Sequence, residues 1–166
     1  MQDVFLFSDT IKENIKLGRK ESTSFAAVEQ ATQDAQARPF IEKMEEKYDT
    51  VIGEKGVGLS GGQKQRISIA RSLAKHTPIL VMDDSTSALD METEHMIQET
   101  LEKLTDTTKL IIAHRISAVK NADEIIVLED GMIKERGTHE SLIELKGLYY
   151  ETYMAQYGII LDRKEA

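Results

Sequence analysis

The chain has 166 residues, of which 40% are hydrophobic and 30% are charged, a composition typical of one globular domain with a real core. Its 21 Lys and Arg residues against 29 Asp and Glu residues leave a net charge of −8, which argues against a broad, sequence-independent grip on nucleic acid. Because there is no cysteine, disulfides and thiolate metal sites are excluded; no apolar run approaches the roughly 18 residues of a membrane span, so we expect the chain itself to be soluble.

The N-terminal part of the chain is predicted to be helical. Apolar residues recur at helical spacing in an alanine-rich segment over residues 23–37, with Phe25 on the predicted core face. Pro39 then permits only a fresh helical start, at residues 40–47. The two segments predict a helical hairpin with an acidic, solvated outer face.

A β-α-β unit is predicted in the middle of the chain. A long helix follows the stretch LSGGQ at residues 59–63. After it, apolar runs at residues 79–82 and 109–113 predict two buried strands, joined by a helix that Asp90 can cap. Short apolar strands that alternate with helices indicate an α/β protein with a largely parallel sheet, in which ligands gather at the carboxyl ends of the strands.

The last part of the chain predicts a hairpin followed by helix. The run EIIVL at residues 124–128 and the run IKE at residues 133–135 flank an Asp-Gly pair that suits a tight hairpin turn. A final helix is predicted to begin over residues 138–145, and a tyrosine-rich tail follows it.

The stretch LSGGQ is a candidate phosphate contact. It places the hydroxyl of Ser60 and the small residues Gly61 and Gly62 just before a long helix. Backbone N–H groups and the positive end of the helix dipole can face an anion there without a side chain in the way. The alternative is an ordinary glycine-rich loop in which Ser60 caps the helix.

The run ILVMDD ends a predicted strand in two adjacent carboxylates. In one interpretation Asp83 holds Mg²⁺ directly or through water, and Asp84 orients or activates an attacking water. In the other, the two acids are an N-capping pair before the next helix.

His114 also follows a predicted strand, where an imidazole could hydrogen-bond a phosphate or a catalytic water, or could be structural. The four histidines have no metal-ligand spacing, so no zinc site is expected. The basic residues of the helix after Gly62, among them Arg66 and Arg71, are expected to form a solvated face.

The motifs LSGGQKQR, ILVMDDSTSALD, IIAHR and ADEIIVLEDGMIKERGTHESL, in this order, resemble the ATP-binding cassette ATPases. Over essentially the whole chain the sequence is similar to the nucleotide-binding domain of exporter-type ABC transporters of the multidrug or lipid-like kind. The resemblance implies an α/β, P-loop NTPase-like fold with a partial parallel sheet, helices and a helical signature subdomain. It implies ATP and Mg²⁺ as cofactors.

The resemblance also implies partners and a location. The implied partners are a second nucleotide-binding domain and the transmembrane domains of an exporter, and nucleic acid is not among them. The implied location is the cytoplasmic face of the cell membrane. In such a pair, the signature motif closes on ATP held by the other subunit. The nucleotide-contacting residues implied for this chain are Ser60, Gly61, Gly62, Gln63 and, in the D-loop, Asp90.

Four further residues receive roles from the resemblance. Asp83 ends the Walker B strand and Gln2 matches the Q-loop, and both are implied at the metal site. His114 matches the switch histidine and, with Asp84, is implied in catalysis.

The resemblance divides the chain into four parts. They are a Q-loop segment at 1–18, a helical subdomain with the signature motif and its helix at 19–76, an α/β core at 77–145, and a C-terminal helical tail at 146–166.

The sequence departs from the family at two points. It contains no G-x-x-x-x-G-K-[ST] motif, so it is expected to be the C-terminal two-thirds of a nucleotide-binding domain, with weak or no ATP binding and marginal stability on its own. Asp84 stands where the family usually has glutamate, and a carboxylate shifted by about an ångström can cost about 10²-fold in rate. Aspartate there commonly marks the slow half of a heterodimeric exporter.

Two alternatives stay open. One is the C-terminal lobe of a chromosome-maintenance or DNA-repair ATPase of the ABC type, although no sustained heptads precede the signature motif. The other is a non-enzymatic dimerisation or regulatory fragment that only contributes its signature motif to a partner, or regulates that partner.

Overall fold

The computed structural model describes residues 4–53, 56 and 58–162, with side chains described as far as residue 158. The predicted Q-loop residue Gln2 lies outside these ranges. The chain divides into two compact units, with the boundary between Ile112 and Ala113. Among the helices of the described ranges, none has both the length and the apolar character that crossing a membrane requires.

The first unit opens with short helices and one small sheet. Their bounds are β1 (Asp9–Thr10), α1 (Ile11–Lys16), α2 (Phe25–Asp34), α3 (Arg38–Ile41) and β2 (Val51–Ile52). Strands β1 and β2 pair antiparallel. The hydroxyl of Thr10 accepts a hydrogen bond from the Glu13 N–H at 3.2 Å and so caps α1.

Two helical predictions in this region are wrong. Helix α3 begins at Arg38 and not at residue 40, because Pro39 lies in its first turn, where a missing N–H costs nothing; the helix already ends at Ile41. Phe25 is 47% exposed and contacts the Tyr48 ring edge-on; it has the spacing of the buried Val28 and Thr32, but it is the first residue of α2 and lies at the exposed end of that face.

The predicted β-α-β unit is confirmed in the rest of the first unit. This part begins with α4 (Gly61–Leu73). The β-α-β unit follows it and consists of β3 (Ile79–Asp83), α5 (Met91–Glu102) and β4 (Thr108–Ile112). Strands β3 and β4 are parallel and in register from one end to the other, so their carboxyl ends lie side by side. The fold is therefore α/β, with a parallel strand pair and packed helices.

The prediction that both strands are buried is wrong for one face of the sheet. Side chains alternate between the two faces of a strand, and on β3 only Leu80 and Met82 join the core of this unit. The opposite face is open among the described residues. Its apolar side chains are exposed by 62% at Ile79, 56% at Val81, 55% at Leu110 and 49% at Ile112.

The second unit is a hairpin with two helices. Strands β5 (Ile125–Glu129) and β6 (Met132–Gly137) pair antiparallel, and α6 (His139–Leu145) and α7 (Leu148–Asp162) follow. The predicted Asp-Gly turn is confirmed: Asp130 and Gly131 have φ of 51° and 72°, the left-handed values that the favoured two-residue hairpin turn needs.

Candidate functional site

The signature stretch forms the start of α4 through a reciprocal cap. The hydroxyl of Ser60 accepts from the Gln63 N–H at 3.3 Å, and the Gln63 side-chain oxygen accepts from the Ser60 N–H at 2.9 Å. Ser60 is therefore the helix cap that the simpler interpretation expected. This cap does not use the N–H groups of Gly61 and Gly62, which lie in the first turn, where an α-helix supplies no carbonyl partner. A capped helix start that has two backbone N–H groups on glycines, with no side chains in the way, is compatible with the binding of an anion.

Gly62 lies against the segment that the family resemblance identifies as the D-loop. A Cβ atom at Gly62 would lie 3.1 Å from the Ala88 carbonyl oxygen, closer than most Cβ contacts. The residue is glycine because two backbones approach closely here. The structure thus brings the start of the signature helix and residues 88–90 together within the first unit.

Gln65 is a residue of this site that the sequence analysis missed. It is buried on α4, and its side-chain oxygen accepts from the Ala88 N–H at 2.9 Å. Its amide nitrogen donates to the Ser87 hydroxyl at 3.2 Å and lies 3.5 Å from the Asp84 carbonyl oxygen. One amide therefore connects the signature helix to the whole turn that follows β3. Its only sequence signal was its position in α4, two residues after Gln63.

The two adjacent acids occupy different backbone positions. Asp83 is the last residue of β3 and is exposed, whereas Asp84 has left the strand with φ of 47°. The Asp84 N–H donates to the Ile112 carbonyl at 2.8 Å, which holds it beside the end of β4. A left-handed φ is uncommon for residues other than glycine, but aspartate adopts it more readily than most, and here it sets the direction in which the Asp84 side chain leaves the backbone.

Asp90 caps α5, as predicted. Its carboxylate accepts from the Thr93 N–H at 2.8 Å and from the Thr93 hydroxyl at 2.9 Å. These two bonds lower the pKa of Asp90, with a smaller contribution from the charge of Arg66. Asp90 is therefore held as a carboxylate in a fixed position next to the signature helix.

The prediction of a solvated basic face on α4 is wrong for two arginines. Arg66 donates to the Gln36 carbonyl at 2.9 Å and lies over the Phe40 ring, 4.9 Å from its centroid. Burial lowers the pKa of both Arg66 and Arg71. Their stems cross apolar surface while the guanidinium groups bind carbonyls, which sequence spacing alone does not reveal.

Arg71 fixes the chain segment that leads into α1. Its guanidinium donates to the Asn14 carbonyl at 2.8 Å, to the Asn14 side-chain oxygen at 3.1 Å and to the Phe5 carbonyl at 3.1 Å. The buried Asn14 side chain in turn exchanges two bonds with the Phe7 backbone, at 2.8 and 2.9 Å. The signature helix therefore positions the residues just after the predicted Q-loop.

His114 belongs to the second unit. Its side chain is exposed, in the loop before the 3-10 turn Ile116–Ala118. The position after a strand agrees with the sequence prediction, and its role in catalysis stays a prediction.

The carboxylates present fit a magnesium ion that a nucleotide shares with the protein. Within the described ranges, no group of three or more His, Cys, Asp or Glu side chains is placed to hold a metal. Magnesium in nucleotide sites is bound by one or two carboxylates together with substrate phosphates. The exposed Asp83 at the end of β3 is compatible with that mode, and the described residues do not form a protein-only cage.

The parallel β-α-β unit, with its acidic strand end and glycine-containing helix start, places the chain in the P-loop NTPase-like class of α/β folds. A sequence profile of the ABC transporter family matches residues 1–87, more than half of the chain. The chain therefore belongs to the ABC transporter family.

Individual relatives agree with this assignment. The ATP-dependent lipid A-core flippases of Escherichia coli K12 and Shigella flexneri are each 51% identical to the chain over 158 residues, which is 95% of the chain and 27% of the flippase. The solved structure of a bacterial Atm1-family ABC exporter with ATP bound matches with a TM-score of 0.89 at 44% identity. That match covers 94% of this chain and 28% of the exporter chain. The chain thus spans roughly a quarter of the length of these relatives.

Proposed function

We propose that this chain works as the nucleotide-binding component of an exporter and that its signature motif closes on ATP held by a second nucleotide-binding subunit. ATP hydrolysis in the complete transporter drives transport by the transmembrane domains, and the component lies at the cytoplasmic face of the membrane. The likeness to a lipid A-core flippase and to an ATP-bound exporter supports this proposal. The proposed partner is a different chain, so that the transporter is a heterodimer.

The observation that carries the proposal is the start of α4. Ser60 and Gln63 cap each other, so the helix begins at a fixed residue. The N–H groups of Gly61 and Gly62 then lie in the first turn, at the positive end of a 13-residue helix. In the proposed closure these groups bind the terminal phosphate of the ATP molecule held by the partner subunit. Asp90, fixed next to this helix start, approaches the same nucleotide.

The chain's own ATP site is proposed to be the slow one of the pair. Asp84 is the residue that orients the attacking water, and its side chain is one methylene shorter than glutamate. Its backbone is held by the Ile112 carbonyl and lies close to Gln65, so the turn cannot easily move forward to compensate. A displacement of about an ångström from the reacting atoms can cost about 10²-fold in rate.

The remaining proposed roles concern charge. When Mg²⁺ is bound, it neutralises the phosphate oxygens of ATP, and Asp83 would hold it together with Gln2. His114, exposed at the start of the second unit, would hydrogen-bond the terminal phosphate or the attacking water.

A non-enzymatic role in the same pair is the second candidate. The observation that favours it is Asp84, since a site with a short base can act as a support for its partner's site. In the regulatory form of this role, the chain changes association of the two subunits but not turnover of ATP at the partner's site.

The test measures ATP hydrolysis at the partner's site with this chain present. Ser60→Arg places a bulky cation over the glycine N–H groups, and we expect turnover to fall on the order of 10²-fold, the cost of removing transition-state donors. Ser22→Arg is the matched control, because Ser22 is exposed in the same unit; it should leave turnover unchanged. Ser60→Ala removes the cap and the hydroxyl without blocking the glycine N–H groups, so it should lower stability by about 1 kcal/mol and lower turnover less than Ser60→Arg does.

The outcomes separate the candidates. If the wild-type chain never changes turnover at the partner's site, the proposed role of the signature motif is wrong. If Ser60→Arg weakens association of the subunits but leaves turnover per complex unchanged, the non-enzymatic role is the correct one.

A further inference from the structure

The C-terminal helix α7 carries a side chain that binds the backbone on both sides of Arg115. The Gln156 amide nitrogen donates to the His114 carbonyl at 2.7 Å. The oxygen of the same amide accepts from the Ile116 N–H at 3.0 Å. One planar group thus uses its donor and its acceptor on two peptide groups that flank a single residue. This arrangement fixes both the position and the orientation of the loop that begins with His114.

The loop needs this support because its 3-10 turn has no local cap. The first N–H of such a turn finds no carbonyl within the turn itself. Arg115 precedes the turn, and within the described residues it makes no side-chain cap to it. The Gln156 oxygen takes that role for the Ile116 N–H. The side chain of Ile116 is buried, so the turn is anchored on one side by packing and on the other by the amide.

Helix α7 is itself fixed at its N-terminal end. The Glu135 carboxylate, from strand β6, accepts from the Leu148 N–H and, at 3.0 Å, from the Tyr149 N–H. This is a charged cap at the positive end of the helix. Tyr149 is buried, and its hydroxyl lies 2.8 Å from the His139 ring nitrogen Nδ1. The hairpin therefore holds the helix, and the helix holds the loop of His114, all within the second unit.

We propose that Gln156 is a positioning residue for His114: it sets the backbone from which the imidazole reaches the phosphate or the attacking water. The inference rests on the proposed function, because it assigns Gln156 a purpose only if His114 acts during ATP hydrolysis. It gives the tyrosine-rich tail a part in the reaction without direct contact to nucleotide.

Two variants separate the two bonds. Gln156→Ala removes both. Gln156→Glu keeps an acceptor for the Ile116 N–H but has no donor for the His114 carbonyl, and its carboxylate repels that oxygen. Glu151→Gln, an exposed change on the same helix, is the control. Gln156 is exposed, so the substitutions leave no cavity in the core.

The first measurement is hydrogen exchange of the Ile116 amide in the 166-residue chain. We expect exchange to accelerate about tenfold or more in Gln156→Ala and to change little in Gln156→Glu and in the control. Equal protection in wild type and Gln156→Ala would show that the bond is not made, and the inference would be wrong.

The second measurement is ATP hydrolysis by the complete transporter, at the site to which His114 belongs. In both Gln156 variants we expect kcat to fall on the order of tenfold while KM stays within about twofold, because the reacting group is displaced but ATP binding is not. In a His114→Ala background, Gln156→Ala should cause no further fall in kcat, since both substitutions remove the same function, the action of the His114 imidazole.

Each other result contradicts the inference. Unchanged kcat together with lost Ile116 protection would make the contact purely structural. An equal fall in the wild-type and His114→Ala backgrounds, as from simple misfolding, would show that Gln156 does not act through His114. If the wild-type transporter does not hydrolyse ATP, the proposed function is wrong, and the inference falls with it. The exchange measurement on Ile116 separates this case from one in which the Gln156 contact is not made, because it does not depend on ATP hydrolysis.

Discussion

Gln65 gives the sharpest prediction, because one buried side chain connects the signature helix to the turn that carries Asp84. Gln65→Leu keeps a side chain of similar size in the core but removes both its donor and its acceptor. The Ala88 N–H and the Ser87 hydroxyl lose the partners described above. The turn between β3 and α5 then loses the two bonds by which Gln65 connects it to α4.

The expected cost follows from the two shorter bonds. Each net hydrogen bond contributes about 0.5–1.5 kcal/mol, and the contact at 3.5 Å to the Asp84 carbonyl adds little at that length. We therefore expect Gln65→Leu to lower the free energy of unfolding by about 2 kcal/mol. For a chain of this size that corresponds to a fall in Tm of roughly 4–8 °C.

The assay is thermal unfolding followed by circular dichroism, together with ATP hydrolysis by the complete transporter. Gln33→Leu is the matched control, since Gln33 is exposed on α2, and its Tm should change by less than about 1 °C. At temperatures where the variant is fully folded, its ATP hydrolysis should still be slower than that of wild type, so that lost stability does not explain the fall. A Gln65→Leu variant with wild-type Tm and wild-type turnover would refute the reasoning.

Three other changes have defined outcomes. Asp84→Glu in the complete transporter should raise turnover at this chain's own site by about 10²-fold in single-turnover assays, and no gain would count against the slow-site proposal. Arg71→Lys, which loses the forked contacts to Asn14, should lower the unfolding free energy by about 2 kcal/mol in urea titrations, and an unchanged midpoint would contradict that network. The folded-state pKa of Asp90 is lowered, so its charge stabilises α5 above the unfolded pKa of about 3.9 and this contribution is lost as pH falls through the folded pKa. Asp90→Asn keeps the cap without the charge, and its Tm should therefore lose less than wild type between neutral and acidic pH; equal losses would contradict the assignment.

The elements with strong local signals were predictable from sequence. The β-α-β unit followed from apolar runs separated by a capped helix, and the Asp-Gly hairpin from turn residues that accept a left-handed φ. The division of the chain into four functional parts, with boundaries after residues 18, 76 and 145, stays a prediction.

Long-range contacts were the part that sequence could not supply. A buried strand and a half-exposed strand have the same apolar run when both faces carry Ile, Leu and Val, so the open face of β3 and β4 was not foreseen. Arg71 was expected on a solvated face and Gln65 was not singled out at all, yet each bonds to backbone far along the chain. Gln156 is 40 residues or more from the groups it binds, beyond any periodicity argument.

The central claim is that residues 59–63 close on ATP bound by another subunit, and a photoreactive ATP analogue tests it most directly. With the reactive group on the terminal phosphate, the analogue should label residues 59–63 of this chain when it is bound by the partner. Labelling should disappear when the phosphate-binding lysine of the partner is replaced. Labelling that is absent from residues 59–63, or that persists without the partner's lysine, would contradict the account.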